Sequence, residues 1–506
     1  MSLNIATMLR ESARSHPDKA AVIVGDVQLT YAQIDALSDQ MAAGLRASGF
    51  KPGDAIGLQL PNLPQFVIGY FALLKAGCVV VPMNVLLKAP EIAFQLGNSH
   101  AKALISWAGT AEEADRAVKA VGVEHLYVVN TPGTPEAEVG LRFETLLGAG
   151  DPNAPAPFEQ TSPDDTAVIV YTSGTTGTPK GAELTHFQLL MNADTPGRVF
   201  GVRDDDVVLV ALPLFHVFGL SSQLDVCVRF AATMVLMPRF DAAAAIEAIR
   251  RHGVTIFEGV PTMYLALLAE EVAPEDVATL RVGVAGGASL PAEVLDAFEE
   301  RFGIVILEGY GMTETASTIT FNVSATDRRI YSVGKPIWGV EVAVWGEGDR
   351  VLPRGADHVG EIVVRGVNTM KGYYDDPGAT AAAFTRGWMR TGDLGYVDDD
   401  GYLFIVDRKK DLIIRGGYNV YPREVEEVIY THPAVAEAAV IGVPDERLGE
   451  EVKAFVVTKP DMALHRDELR EFLVERMAAY KYPRIIEFRA ELPHGPTGKV
   501  LKHELR

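Results

Sequence analysis

Short apolar runs of strand length alternate with stretches of helical period through most of the chain, and this alternation constrains the fold more than any other feature. Residues 54–60 read as a strand, 64–76 as a helix, 78–82 as a strand, 88–99 as a helix and 103–106 as a strand. Adjacent parallel strands need a crossover of a dozen or more residues, usually a helix, so this order predicts βαβ units and a parallel sheet. The same order recurs downstream, with strands over 207–212, 233–237, 255–259 and 281–285 and helices over 242–252, 262–271 and 291–302. Between the two groups, 131–160 is rich in Pro, Gly and Ala and predicts a loop or subdomain seam before a buried strand at 166–171. From residue 339 the texture changes to short strands and turns (341–345, 361–365, 402–406), and after Lys410 a compact α+β pattern runs on. The charged cluster 407–411 is the predicted boundary. The expected fold is α/β, with a large multi-subdomain N-terminal domain (1–408) of stacked sheets and helices and a small α+β C-terminal domain (409–506).

A chain of 506 residues exceeds one ordinary core and predicts two or three domains. Its formal charge of −21 repels polyanions over most of the surface, which argues against nucleic acid as a partner and requires any phosphate ligand to meet a local site. Only Cys78 and Cys227 are present, outside any metal-ligand or redox spacing, and they read as inert core thiols of a protein in a reducing compartment. The first residues lack a basic stretch followed by an apolar run, so they do not read as a secretory signal, and the expected location is the cytoplasm. The most apolar segments, 66–83 and 207–220, are interrupted by Lys75 and Pro82 or too short to span a bilayer. A homodimer stays open.

The strongest chemical signal is Tyr171-Thr-Ser-Gly-Thr-Thr-Gly-Thr-Pro-Lys-Gly181, a loop rich in glycine and hydroxyls placed directly after a predicted strand. Glycines let backbone N–H groups converge on phosphate oxygens, hydroxyls add donors and Lys180 adds positive charge. The candidate phosphate cradle is therefore Thr172, Ser173, Gly174, Thr175, Thr176, Gly177, Thr178, Pro179 and Lys180. It is not a Walker A loop, because Pro179 precedes the lysine and Gly181 follows it.

This loop resembles the signature of the acyl-adenylate-forming superfamily of acyl-CoA synthetases, adenylation domains and luciferases. Matching motifs follow in the family's order: Leu212-Pro-Leu-Phe-His-Val-Phe-Gly219, Gly259-Val-Pro-Thr262, Gly286-Gly-Ala288, Glu308-Gly-Tyr-Gly-Met-Thr-Glu314, Tyr373-Tyr374, Trp388-Met-Arg-Thr-Gly-Asp393, Asp407-Arg408, Gly416-Gly-Tyr-Asn-Val-Tyr-Pro422 and Pro496-Thr-Gly-Lys499. The resemblance implies an AMP-forming acyl-CoA synthetase, nearest to the fatty-acid–CoA ligases, with ATP and CoA as co-substrates and Mg²⁺ as cofactor. It assigns Glu314 and Thr176 to the metal, for which a hard carboxylate oxygen is suited. It assigns Gly287, Ala288, Glu308, Gly309, Tyr310, Gly311 and Thr313 to the nucleotide, Asp393 to the ribose and Arg408 to ribose or phosphate. Lys499 is implied as the catalytic cation, offsetting charge on the attacking carboxylate and the leaving pyrophosphate. The resemblance further implies a mobile C-terminal domain hinged at Lys410 that brings Gly416 and Gly417 to the CoA channel.

His216 lies in an apolar stretch, where a satisfied core histidine is the ordinary reading, but in the family the matching residue borders the carboxylate. With Val217, Phe218, Gly219, Val260 and Met312 it forms the expected acyl pocket, whose apolar lining favours an apolar carboxylic acid, aliphatic before aryl. No aspartate near Phe215 offers to hold an amino group. A cinnamate- or benzoate-type acid and malonate remain alternative substrates. A luciferase-like oxygenase and a non-catalytic nucleotide binder remain alternative classes.

Overall fold

The computed structural model describes residues 2–148, 158–172, 178–460, 462–495 and 499–505. Four sheets form among the described residues. In the eight-stranded sheet, Val79–Pro82, Ala55–Gln59, Ala103–Trp107 and His125–Val129 run parallel side by side, joined by the helices Pro64–Lys75, Ala89–Asn98 and Ala111–Val121. Ala55–Gln59 is buried at every position, as a strand covered on both faces requires. Ile56 and Leu58 join the largest buried cluster, and Ala55 a second one on the opposite face.

The nine-stranded sheet has Val207–Val210, Thr233–Leu236, Ile256–Gly259, Val282–Ala285 and Val305–Tyr310 as its parallel centre. The largest cluster also takes in Val208, Val210, Val284 and Leu307, so the two sheets share a core. A third, antiparallel sheet includes Val340–Trp345, Gly360–Gly366, Trp388–Val397 and Leu403–Arg408. The fourth contains only residues from Ile413 onward and has its own buried cluster around Val440, Val452 and Ile486.

The structure departs from the sequence reading in three places. Both large sheets are mixed: Thr166–Thr172 pairs antiparallel with Lys180–Thr185, because the loop between them is too short for a crossover. The segment read as a loop from 131 carries an edge strand at Leu141–Arg142 and a turn of 3-10 helix at Phe143–Leu146 that buries Phe143 and Leu146. Ala20–Val24, ahead of the region where the alternation was read, joins the nine-stranded sheet beside Thr233–Leu236. Lys75, read as an interruption of an apolar segment, is fully buried, and its ammonium donates to Asp35, Ser38 and Asp39. Cys78 and Cys227 are free and buried, and burial pushes the Cys78 thiol up to about 12. No helix among the described residues is long and apolar enough to cross a membrane.

Candidate active site

The motif loops emerge where the parallel strands of the nine-stranded sheet end, the edge at which open α/β sheets bind ligands. Gly259, Ala285 and Glu308 stand in register at that edge, and the loops beginning at Val260, Gly286 and Gly311 leave from it. Gly287 lies at their meeting point, with φ of +78°. A Cβ there would stand 3.5 Å from Val260 Cγ1, 3.7 Å from Lys499 Cε and 3.9 Å from Phe218 Cδ1. The apolar wall and the lysine of the last motif thus meet over one backbone position that carries no side chain.

Lys499 reaches this point from a small hairpin: His494 bridges Val500, and the Gly495 amide donates to the Lys499 carbonyl. Burial, then the nearby Arg408 guanidinium, pushes the Lys499 ammonium down to about 8, while Asp393 opposes them. Asp393 and Arg408 are cross-strand partners, with Arg408 Nε 3.5 Å from Asp393 Oδ1. The Tyr310 hydroxyl donates to the other Asp393 oxygen at 2.6 Å. Burial raises the Asp393 carboxyl, and Arg408, Tyr310 and Lys499 pull it back toward the ionised form. The His216 ring is pushed down to about 4, by burial first and then by Lys499, so it is neutral at pH 7. Its Nδ1 accepts the Phe218 amide, which places the ring proton on Nε2.

Beside this cluster lies the hairpin of the hydroxyl-rich loop. Thr172 pairs with Lys180 across it, and Thr178 and Pro179 lead into the return strand; Ser173, Gly174, Thr175, Thr176 and Gly177 lie outside the described residues. Lys180 Nζ sits 5.3 Å from the Tyr373 ring centroid, and the Tyr373 hydroxyl donates to Glu314 Oε1 at 2.8 Å. Burial raises the Glu314 carboxyl, and the Tyr373 bond offsets part of that shift. Tyr373 carried no role in the sequence reading, although its motif was visible there. It is the link between the loop lysine and the Glu314 carboxylate.

At the remaining candidate positions the structure shows what each residue packs against. A Cβ at Gly219 would lie 2.3 Å from the Pro213 carbonyl oxygen, and one at Gly311 1.3 Å from the Ser317 oxygen, so both glycines serve close backbone packing. Gly309 is similarly crowded by the Phe321 ring, at 2.6 Å. Val217 is core, while Met312 is half-buried. Glu308 sits behind the exposed Gly287–Ala288 turn, its carboxyl facing the Leu290 amide and the Arg423 side chain, and burial pushes it up to about 7. Thr313 opens the single 3-10 turn that carries Glu314. Lys410 is exposed beside the Arg408 strand end, close enough to Asp393 to favour its charge. Gly416 and Gly417 form a hairpin turn whose Gly416 amide donates to the Leu448 carbonyl, in the turn between Val435–Asp445 and Gly449–Thr458. A Cβ on Gly417 would meet nothing within 4 Å, so the tip of this hairpin faces open space.

A Mg²⁺ ion fits the donor set. Tyr373 and the backbone amide of Glu314 itself donate to the Glu314 carboxylate and orient it, and among the described residues no group of three or more His, Cys, Asp or Glu converges to hold an ion alone. Mg²⁺ characteristically binds through one or two carboxylates together with substrate phosphates.

Residues 9–374 match the family model described as AMP-binding enzyme, and 424–499 match that of the AMP-binding enzyme C-terminal domain. A long-chain-fatty-acid–CoA ligase of Bacillus subtilis is 35% identical over 99% of this chain and 94% of that one. A feruloyl-CoA synthase of an Amycolatopsis species is 39% identical over 98% and 96%. The solved structure of the anthranilate CoA ligase AuaEII with anthranoyl-AMP superposes with a TM-score of 0.93 at 31% identity, covering 100% of this chain and 97% of that one. The chain belongs to the AMP-binding enzyme family, as one of its AMP-forming CoA ligases.

Proposed function

We propose that this ligase activates an apolar carboxylic acid, with an aliphatic fatty acid as the first candidate, through an acyl-adenylate formed beside Lys499. The observation that carries this reading is the meeting of Lys499, Phe218 and Val260 over Gly287. A carboxylate placed there has a cation at its head and apolar side chains along its tail. The carboxylate oxygen attacks the α-phosphorus of ATP and pyrophosphate leaves; the thiol of CoA then attacks the acyl carbon, loses its proton, and AMP leaves. Asp393 would accept the ribose hydroxyls, with Tyr310 and Arg408 fixing its two oxygens. The hydroxyl-rich loop and Lys180 would hold the phosphates, and Glu314 a Mg²⁺ that offsets their charge. Lys499 supplies positive charge only while protonated, and neutral His216 borders the acid without repelling that charge.

The domain limits of 1–408 and 409–506, with Lys410 as hinge, belong to the same proposal. Lys499 beside Gly287 is the placement that the first half-reaction needs. Turning the fourth sheet about the 408–411 turn would exchange it for Gly416 and Gly417 in the second. An aryl acid is the second reading, favoured by the flat Phe218 ring lying 3.0 Å from the Cβ position of Gly286 and by the feruloyl-CoA synthase relative. Incubation with Mg-ATP, CoA and fatty acids of graded length, benzoates, cinnamates and malonate, followed by mass detection of acyl-CoA and AMP, tests the reading. Products across the aliphatic series support it, products from benzoates or cinnamates alone move it to the aryl acid, and products from malonate alone overturn the apolar acid.

A further inference from the structure

The sheet face below Phe218 and Val260 carries polar groups that the mechanism above does not use. In the strand Ile256–Gly259, Ile256 packs into the cluster that holds Val210, Val284 and Leu307, and Phe257 into the cluster on the opposite face. Side chains alternate along a strand, so Glu258 shares the Ile256 face. Val260, two residues on and still extended, continues the alternation on that face and stands 3.5 Å from the Cβ position of Gly287. At about 3.3 Å per residue, Glu258 lies roughly 6–7 Å deeper than Val260 along the same wall. Its register neighbour Val284 is buried, and Glu258 itself is 2% exposed.

Glu258 has no hydrogen-bond or ion-pair partner among the described residues, and burial alone pushes its carboxyl up to about 8. At pH 7 it is therefore mostly neutral, with one O–H donor and one carbonyl acceptor. Gln223, fully buried on the π-helix Phe218–Asp225, provides an independent second group. Its Nε2 donates to the Leu209 carbonyl at 3.3 Å, and its Oε1 has no partner. Leu209 is in register with Phe257, the residue before Glu258, so the free amide oxygen and the free carboxyl belong to neighbouring positions of one wall. A buried polar group left unpaired is destabilising, and a hydroxyl between them would satisfy both by donating to one and accepting from the other.

We propose that Glu258 and Gln223 form a polar subsite at the floor of the acyl pocket, and that the preferred acid carries a hydroxyl at its far end, with an apolar segment between that hydroxyl and the carboxylate. This rests on the reading of Phe218 and Val260 as the acyl wall and narrows the acid that wall admits. A site built to pair a substrate hydroxyl rejects the analogue that lacks it far more strongly than an apolar pocket rejects a missing methylene.

The test is kcat/KM for pairs of acids differing only in that hydroxyl: octanoate and 8-hydroxyoctanoate with their shorter and longer homologues, and 3-phenylpropanoate and 3-(4-hydroxyphenyl)propanoate. The wild-type enzyme is expected to favour the hydroxylated member of at least one pair by tenfold or more. Glu258→Leu is expected to reduce that ratio to about one or below. Gln223→Leu is expected to reduce the ratio in the same direction, and it decides the matter should Glu258→Leu not accumulate. No preference in any pair, or a preference both variants leave intact, overturns the proposal. Absence of product from every acid overturns the ligase reading on which the proposal rests, a result distinct from turnover without preference.

Discussion

The state of Lys499 makes a quantitative prediction about pH. Burial and Arg408 hold its ammonium near pH 8, more than two units below an ordinary lysine. Only the cation stabilises charge on the attacking carboxylate and the leaving pyrophosphate. A group of pKa 8 is about 90% charged at pH 7 and about 10% charged at pH 9, so kcat/KM for ATP, which reports the free enzyme, is expected to fall roughly tenfold between them. The kcat limb lies at higher pH, because bound phosphates favour the cation. Acid-dependent pyrophosphate release from pH 6 to 10 measures both. Lys499→Arg keeps a permanent cation and should abolish the limb, whereas Arg408→Gln should move it to higher pH even as it lowers the rate. Glu258 and Glu308 also titrate in this range, near 8 and 7. A limb that persists unchanged in Lys499→Arg assigns it to one of them and refutes the argument, as does a flat wild-type profile to pH 10.

Three further predictions use single side chains. Arg423 donates to the Ile405 carbonyl at 2.6 Å and faces Glu308, so it clasps the fourth sheet to the rest while Lys499 occupies the cleft. Arg423→Ala is expected to slow acyl-adenylate formation roughly tenfold, from about 1.5 kcal/mol for a charged hydrogen bond, while conversion of supplied acyl-adenylate and CoA to acyl-CoA changes less; an equal fall in both refutes the clasp. Gly311→Ala would put a Cβ 1.3 Å from the Ser317 oxygen, so both melting temperature and activity should drop, and wild-type values for both would contradict the packing. Between its ordinary value of 4.5 and its folded value of about 8, Glu258 holds a proton in the folded chain that the unfolded chain has lost, so it lowers stability as pH rises through that window. The melting temperature of Glu258→Gln should therefore gain on the wild type between pH 5 and pH 9, and parallel curves would refute the buried neutral carboxyl.

Much of the fold was legible because parallel strands buried on both faces must be short, apolar and separated by helices, as 54–60 and 281–285 are. What was not legible depends on partners far away in the chain. Ala20–Val24 is an apolar run like the others, but its neighbour in the sheet is Thr233–Leu236, and nothing local announces that pairing. At the site, Asp393, Arg408, Tyr310 and Lys499 were legible as motifs, and the structure brings them together. Gly219 was read as acyl-pocket lining and Gly311 as nucleotide-binding, and only the coordinates show the Pro213 and Ser317 carbonyls that forbid a side chain at either. Gln223 and Glu258 had a signal that passed unused: polar residues inside apolar runs, where burial demands either a partner or a purpose.

The most direct test of the account is exchange of labelled pyrophosphate into ATP in the absence of CoA, with each acid in turn, for the wild type and Lys499→Ala. Acid-dependent exchange that Lys499→Ala reduces by two or more orders of magnitude, while that variant still converts supplied acyl-adenylate and CoA to acyl-CoA, is the predicted result. Exchange that is independent of acid, or undiminished without Lys499, would contradict adenylation at the cluster around Gly287.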